Sequence, residues 1–102
     1  MGLKILWTQS AQEQFSERLE YIGGFRVEAA RKVRRKVDES LWRLRDFPEL
    51  GRWVPEFGPG FYREILVNPL CLLYEWHDQG LVITQVHRQE EDLGPDTFGD
   101  PR

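Results

Sequence analysis

The apolar residues of this 102-residue chain change their period once, and that change limits the folds open to it. Up to Phe47 they recur every three or four residues. From Phe61 onward they alternate, or run together in short segments. The stretch between, PELGRWVPEFGPG at 48–60, is rich in Pro and Gly and reads as a loop. A period near 3.6 buries one stripe of a helix, and a period of 2 buries one face of a strand. Helices therefore precede most of the strands, in a chain of one-domain length.

Leu3, Ile5 and Trp7 alternate ahead of the helical part and predict a short N-terminal strand. Ser10 with Glu13 has the spacing of a capping box and predicts a helix start. Ala11, Phe15, Leu19 and Ile22 then form one stripe, and Gly23-Gly24 is expected to stop the helix. A second helix is expected from about Phe25 to Phe47, buried through Ala30, Val33, Val37, Leu41 and Leu44 and ended by Pro48. Strands are expected over Phe61–Val67, Leu70–His77 and Leu81–Arg88, joined by Asn68-Pro69 and Asp78-Gln79-Gly80 into an antiparallel meander. The expected class is α+β in the order β-α-α-β-β-β, an antiparallel helical hairpin packed on a small antiparallel sheet. Residues 1–93 form the single domain and 94–102 a tail.

Along the central strand, Leu70, Leu72, Tyr74 and Trp76 share one face, and Cys71, Leu73, Glu75 and His77 the other. Both faces are partly apolar, and two helices cover only one. The other is expected to be an exposed apolar patch that docks a partner, with self-association as the plainer alternative. Trp42 falls off the buried stripe of the second helix, an anchor for a partner or a residue under the 48–60 loop. Trp53 and Trp76 read as packing residues.

Charge narrows the function. The net charge is −3, with ten Lys/Arg against eight Asp/Glu in residues 1–50 and four against nine in 51–102. A protein built mainly to grip nucleic acid is usually basic. RKVRRK at 31–36 is the one basic run; with Glu28, Asp38 and Glu39 at helical spacing it reads as a solvated face with intrahelical pairs, a nucleic-acid patch being the alternative. Cys71 is the only cysteine, so no intramolecular disulfide forms, as suits a reducing cytosol. Cys71, His77 and His87 match no zinc spacing, so neither metal nor cofactor is expected. No signal peptide or apolar span is evident, and the expectation is a soluble, cytoplasmic protein without a membrane partner.

Trp7, Thr8 and Ala11 leading into a helix, Ala29-Ala30 in the next, Pro48 to Glu56, Tyr62 to Ile65, Leu72 to Trp76 and Val82 to Arg88 form an ordered set. In it the chain resembles the RelE/ParE superfamily of type II toxin–antitoxin toxins, over about residues 3–93 and closer to ParE. The resemblance implies a toxin neutralised by a ParD-like or other small DNA-binding antitoxin. It implies nucleic acid as a partner only indirectly, through the antitoxin or the target.

The resemblance allows two activities. ParE-like members inhibit DNA gyrase, and RelE-like members cut mRNA on the ribosome. A third possibility is a member that binds its antitoxin and poisons nothing. RNA cleavage by the 2′-OH needs a base, a cation at the phosphate and an acid for the leaving 5′ oxygen. Glu56 or Glu64, Arg63 with Arg52, and His87 are the candidates. Glu90, Glu91 and Asp92 lie close after His87 and repel phosphate, so gyrase is the expected target and no catalytic residue is assigned. Arg52, Trp42, Arg63, His87 and Arg88 are the candidates for target binding. Tyr62, Leu66, Leu72, Tyr74 and Trp76 are the candidates for antitoxin binding.

Overall fold

A computed structural model describes residues 3–54 and 62–89. Strand β1 (Lys4–Trp7) leads into helices α1 (Gln9–Phe25) and α2 (Val27–Asp46). A 3-10 turn at Pro48–Leu50 comes next, then β2 (Arg52–Trp53), β3 (Tyr62–Val67), β4 (Leu70–His77) and β5 (Gly80–Arg88). The α+β class and element order agree with the sequence, as do both helical stripes. Ala11, Val33, Val37 and Leu44 are buried, with Phe15, Leu19, Ile22 and Leu41 packed against them.

The sheet has five strands in the order β1-β5-β4-β3-β2. It is mixed rather than wholly antiparallel, because β1 runs parallel to β5, Leu6 opposite Val82. Periodicity identifies strands but not their neighbours. Nor does it find β2, a two-residue pairing of Arg52 with Glu64 and Trp53 with Arg63 inside the expected loop.

Both helix boundaries at the hairpin differ from expectation. Thr8, not Ser10, caps α1: its hydroxyl accepts the Ala11 N–H at 3.0 Å, while its own N–H donates to the Ile83 carbonyl. Pairing with β5 has already placed Thr8, so the sheet decides where the helix begins. Gly23-Gly24 does not stop α1. The Arg26 N–H still donates to the Ile22 carbonyl, and Arg26 alone, in extended conformation, joins the helices. A Cβ on Gly23 would lie 3.5 Å from that of Ala30, an ordinary contact, and one on Gly24 would meet nothing within 4 Å. Each glycine costs a helix roughly 1 kcal/mol relative to alanine, yet α1 continues through both.

One irregularity controls which side chains meet. Leu73 pairs with Gln85 but Tyr74 pairs with Ile83, a bulge that skips Thr84, whose hydroxyl donates to the Leu73 carbonyl at 3.3 Å. Unbroken alternation from Leu81 and Ile83 would turn Gln85 and His87 toward the helices. The extra residue instead buries Val86 in the core and sends His87 to the opposite face.

The inner face carries Val67, Leu70, Leu72, Tyr74, Leu81, Ile83 and Val86, all buried under the helices. Leu72 and Tyr74 are 0% exposed. This corrects their expected place on an antitoxin-binding surface: the hairpin covers their side of the sheet. The outer face also differs from the expected apolar patch. Cys71 and Leu73 are buried there, Leu73 between Glu64 and Gln85 in register and Cys71 between Leu66 and His87.

Candidate functional site

Of the ribonuclease candidates among the described residues, Arg63 and His87 lie on opposite faces of the sheet. Register places Arg63 opposite Tyr74, on the inner face. Its Nη1 donates to the Gly51 carbonyl at 2.9 Å and the Glu49 carbonyl at 3.3 Å, and its guanidinium lies 5.9 Å from the Trp76 ring centroid. Arg63 therefore ties down the turn after α2. His87 pairs with Cys71 on the outer face, so the sheet separates it from Arg63. Glu56 lies outside the described residues, as do Glu90, Glu91, Asp92 and the 94–102 segment.

Tyr74 holds the same turn from within. Its hydroxyl donates to the Pro48 carbonyl at 2.5 Å and accepts the Gly51 N–H at 2.9 Å. Burial raises its pKa above the ordinary tyrosine value, against the pull of the Gly51 N–H and the Arg63 charge. A Cβ on Gly51 would fall 2.5 Å from that hydroxyl and 2.9 Å from the Glu64 carbonyl oxygen, so only glycine fits there.

The outer face carries two polar groups. In the first, Arg52 reaches Glu64 Oε1 through Nη2 at 2.5 Å and Nε at 3.0 Å, while the Cys71 thiol donates to Glu64 Oε2 at 2.8 Å. Glu64 thus pairs across strands, and both its oxygens are occupied. His87 is the cross-strand neighbour of Cys71. The second group, which the sequence alone did not single out, joins Tyr62, Glu75 and His77. His77 Nε2 lies 2.8 Å from Glu75 Oε1, and a hydrogen bond to Glu75, together with the charge of that carboxylate, raises the Tyr62 pKa. The i, i+2 spacing of Glu75 and His77 on a strand was the available signal.

Arg88 turns inward, its guanidinium 5.4 Å from the Tyr21 ring centroid on α1. The five target-binding candidates therefore divide: Arg63 and Arg88 inward, Arg52 and His87 outward, and Trp42 on α2, 65% exposed beneath Arg45.

Exposed apolar side chains gather at the end of the sheet beside the C-terminal part of α2. Trp42, Phe47, Leu50, Trp53 and Leu66 are all about half exposed or more, so Trp53 is not the packing residue expected, and Trp76 is only partly one. A cavity of about 540 Å³ lies against Trp42, Arg43, Arg45 and Phe47. A groove of about 350 Å³ runs between α2 and β3, lined by Leu44, Leu50, Arg52, Glu64, Ile65 and Leu66. β2 pairs only with Arg63 and Glu64, so among the described residues the β3 edge beyond Glu64 is unpaired beside this groove. Among the described residues no group of three His, Cys, Asp or Glu side chains is placed to hold a metal ion. No helix among them is long and apolar enough to cross a membrane.

The family model described as ParE toxin of type II toxin-antitoxin system, parDE, matches residues 5–93. Among solved structures, the chromosomal ParDE toxin–antitoxin system of P. aeruginosa is similar at a TM-score of 0.68 and 18% identity, over 84% of this chain and 95% of that one. The E. coli DinJ-YafQ toxin-antitoxin complex is similar at a TM-score of 0.54 and 15% identity, over 92% of this chain and 100% of that one. At these identities the likeness is one of fold. No curated protein matches the sequence.

Proposed function

Because the chain belongs to the ParE toxin family of type II toxin–antitoxin systems, we propose that it inhibits DNA gyrase and is held inactive by a ParD-like antitoxin. The observation that carries gyrase over mRNA is the separation of Arg63 from His87 by the sheet. Phosphoryl transfer to a 2′-OH needs cation, base and acid around one phosphorus atom. Arg63 is tied to two backbone carbonyls, and Arg52 to Glu64. Neither cation is aimed at a phosphate.

The groove between α2 and β3 supports the antitoxin part of the reading. Leu50 and Leu66 offer apolar contacts, Trp42 and Phe47 continue them around α2, and the β3 edge beyond Glu64, unpaired among the described residues, offers backbone hydrogen bonds. Tyr62 on the outer face and Trp76 on the inner lie at the other end of β3 and β4, both partly exposed.

One observation favours a second reading. Glu64, Arg52 and His87 share the outer face, around Cys71, and could serve a ribonuclease if Arg52 released Glu64. Mapping mRNA 5′ ends after induced expression decides between them. The gyrase reading expects no new ends within codons during growth arrest. New ends there would overturn it in favour of the outer-face set.

A further inference from the structure

The basic run at 31–36 differs from the solvated, internally paired face that its spacing predicted. Arg31, Lys32, Arg34 and Arg35 are exposed and Lys36 partly so, while Val33 between them is buried in the core. Among the described residues none of these five cations makes an ion pair or side-chain hydrogen bond. Glu28 sits one helical turn before Lys32 without pairing to it, and Asp38 and Glu39 are likewise unengaged. Arg26, Arg31, Lys32 and Arg35, with Glu28 and Ala29, line a shallow cavity of about 540 Å³.

From the face these residues make, we propose that the N-terminal half of α2 binds the phosphate backbone of duplex DNA, without regard to sequence. Three features select this partner. Within 31–36 the one apolar residue, Val33, is buried, and the exposed Val27 lies only at the N-terminal end of the patch, whereas a protein-binding surface centres on an apolar or aromatic anchor. Arginine predominates, and its planar fork suits phosphate oxygens. Arg31 and Arg35, like Lys32 and Lys36, lie four residues apart on one helix, a rise of about 6 Å. That step is close to the separation of successive phosphates along a strand. The acidic balance belongs to residues 51–102, whose described acids, Glu64, Glu75 and Asp78, lie on the strands or in the turn between them. A net charge of −3 therefore does not forbid the contact. The affinity is electrostatic, hence weak and sensitive to salt. This contact goes beyond gyrase inhibition and does not depend on it; it would let the toxin approach an enzyme already loaded on DNA.

The test is fluorescence anisotropy of the purified chain with labelled 20-base-pair duplexes of two unrelated sequences, from 50 to 200 mM salt, beside labelled poly-glutamate. Four phosphate contacts give a log–log salt slope near −3.6 and a loss of about 10²-fold over that range. Both duplexes should bind alike. The double variant R31Q/R35Q should lower the slope by about 1.8, while R43Q, on the same helix outside the patch, should leave it unchanged. Thermal melts confirm that each variant is folded. Absence of binding at 50 mM salt, tighter binding to poly-glutamate than to DNA, or an unchanged slope in R31Q/R35Q would each overturn the proposal.

Discussion

At the residue scale, side chains that looked like binding or catalytic groups prove to hold the structure. Arg63 and Tyr74 both fix the turn between α2 and β2, one from its rim and one from beneath. Tyr74→Phe leaves the Pro48 carbonyl and the Gly51 N–H without their partner and should cost about 1–3 kcal/mol of stability. Its pH dependence has a definite sign. A tyrosine whose pKa is raised by burial contributes its share of stability in full below the unfolded value of about 10, and loses it as pH rises through the folded value. Urea midpoints between pH 7 and 11 should therefore fall less in Tyr74→Phe than in the unaltered chain. Tyr62, raised chiefly by its hydrogen bond to Glu75, accounts for part of the remaining slope. Equal slopes in the two proteins would show that Tyr74 does not carry the effect. His87→Ala should leave growth arrest nearly intact, whereas a ribonuclease using it as general acid would lose about 10²–10⁴-fold in rate.

At the scale of elements, the stripe on each helix and the three strands of the meander were legible, because burial imposes its period directly on the sequence. The boundaries were less so. Thr8 displaced Ser10 as the cap, by a tertiary contact that no local pattern encodes, and α1 ran through Gly23-Gly24. The least legible feature was the bulge at Thr84, and it matters most for the site, since it alone turns His87 away from the face of Arg63. The sheet faces were misjudged for a related reason. Alternation sorted side chains within each strand, but it neither related Leu72 on one strand to Leu66 on the next nor told which face the hairpin covers. Two substitutions separate these roles. Leu72→Ala, in the core, should cost about 2–5 kcal/mol of stability. Leu66→Asp, at a position 61% exposed, should change stability by less than about 0.5 kcal/mol yet weaken the antitoxin at least about tenfold. Denaturant titration and calorimetry with the purified antitoxin measure both. An antitoxin Kd within about twofold of the original in Leu66→Asp would move its seat away from this groove.

At the scale of the whole molecule, the two halves of the chain differ in charge as they differ in structure. The N-terminal half of α2 carries half of the cations of residues 1–50, while residues 51–102 hold nine acids against four bases. A ribosomal A site demands a basic face around the chemistry. Here the side chains nearest His87 in register are a buried thiol and, through it, a carboxylate already bound to Arg52. The fold therefore offers binding surfaces, an apolar groove beside α2 and a basic helix face, more readily than a reaction centre. The most direct test of gyrase as the target is supercoiling of relaxed plasmid by purified DNA gyrase with the toxin added in increasing amounts. Supercoiling should fall with toxin, cleaved DNA should accumulate, and prior addition of the antitoxin should restore the reaction. Undiminished supercoiling at toxin in excess over gyrase, using protein that arrests growth when expressed, would contradict it.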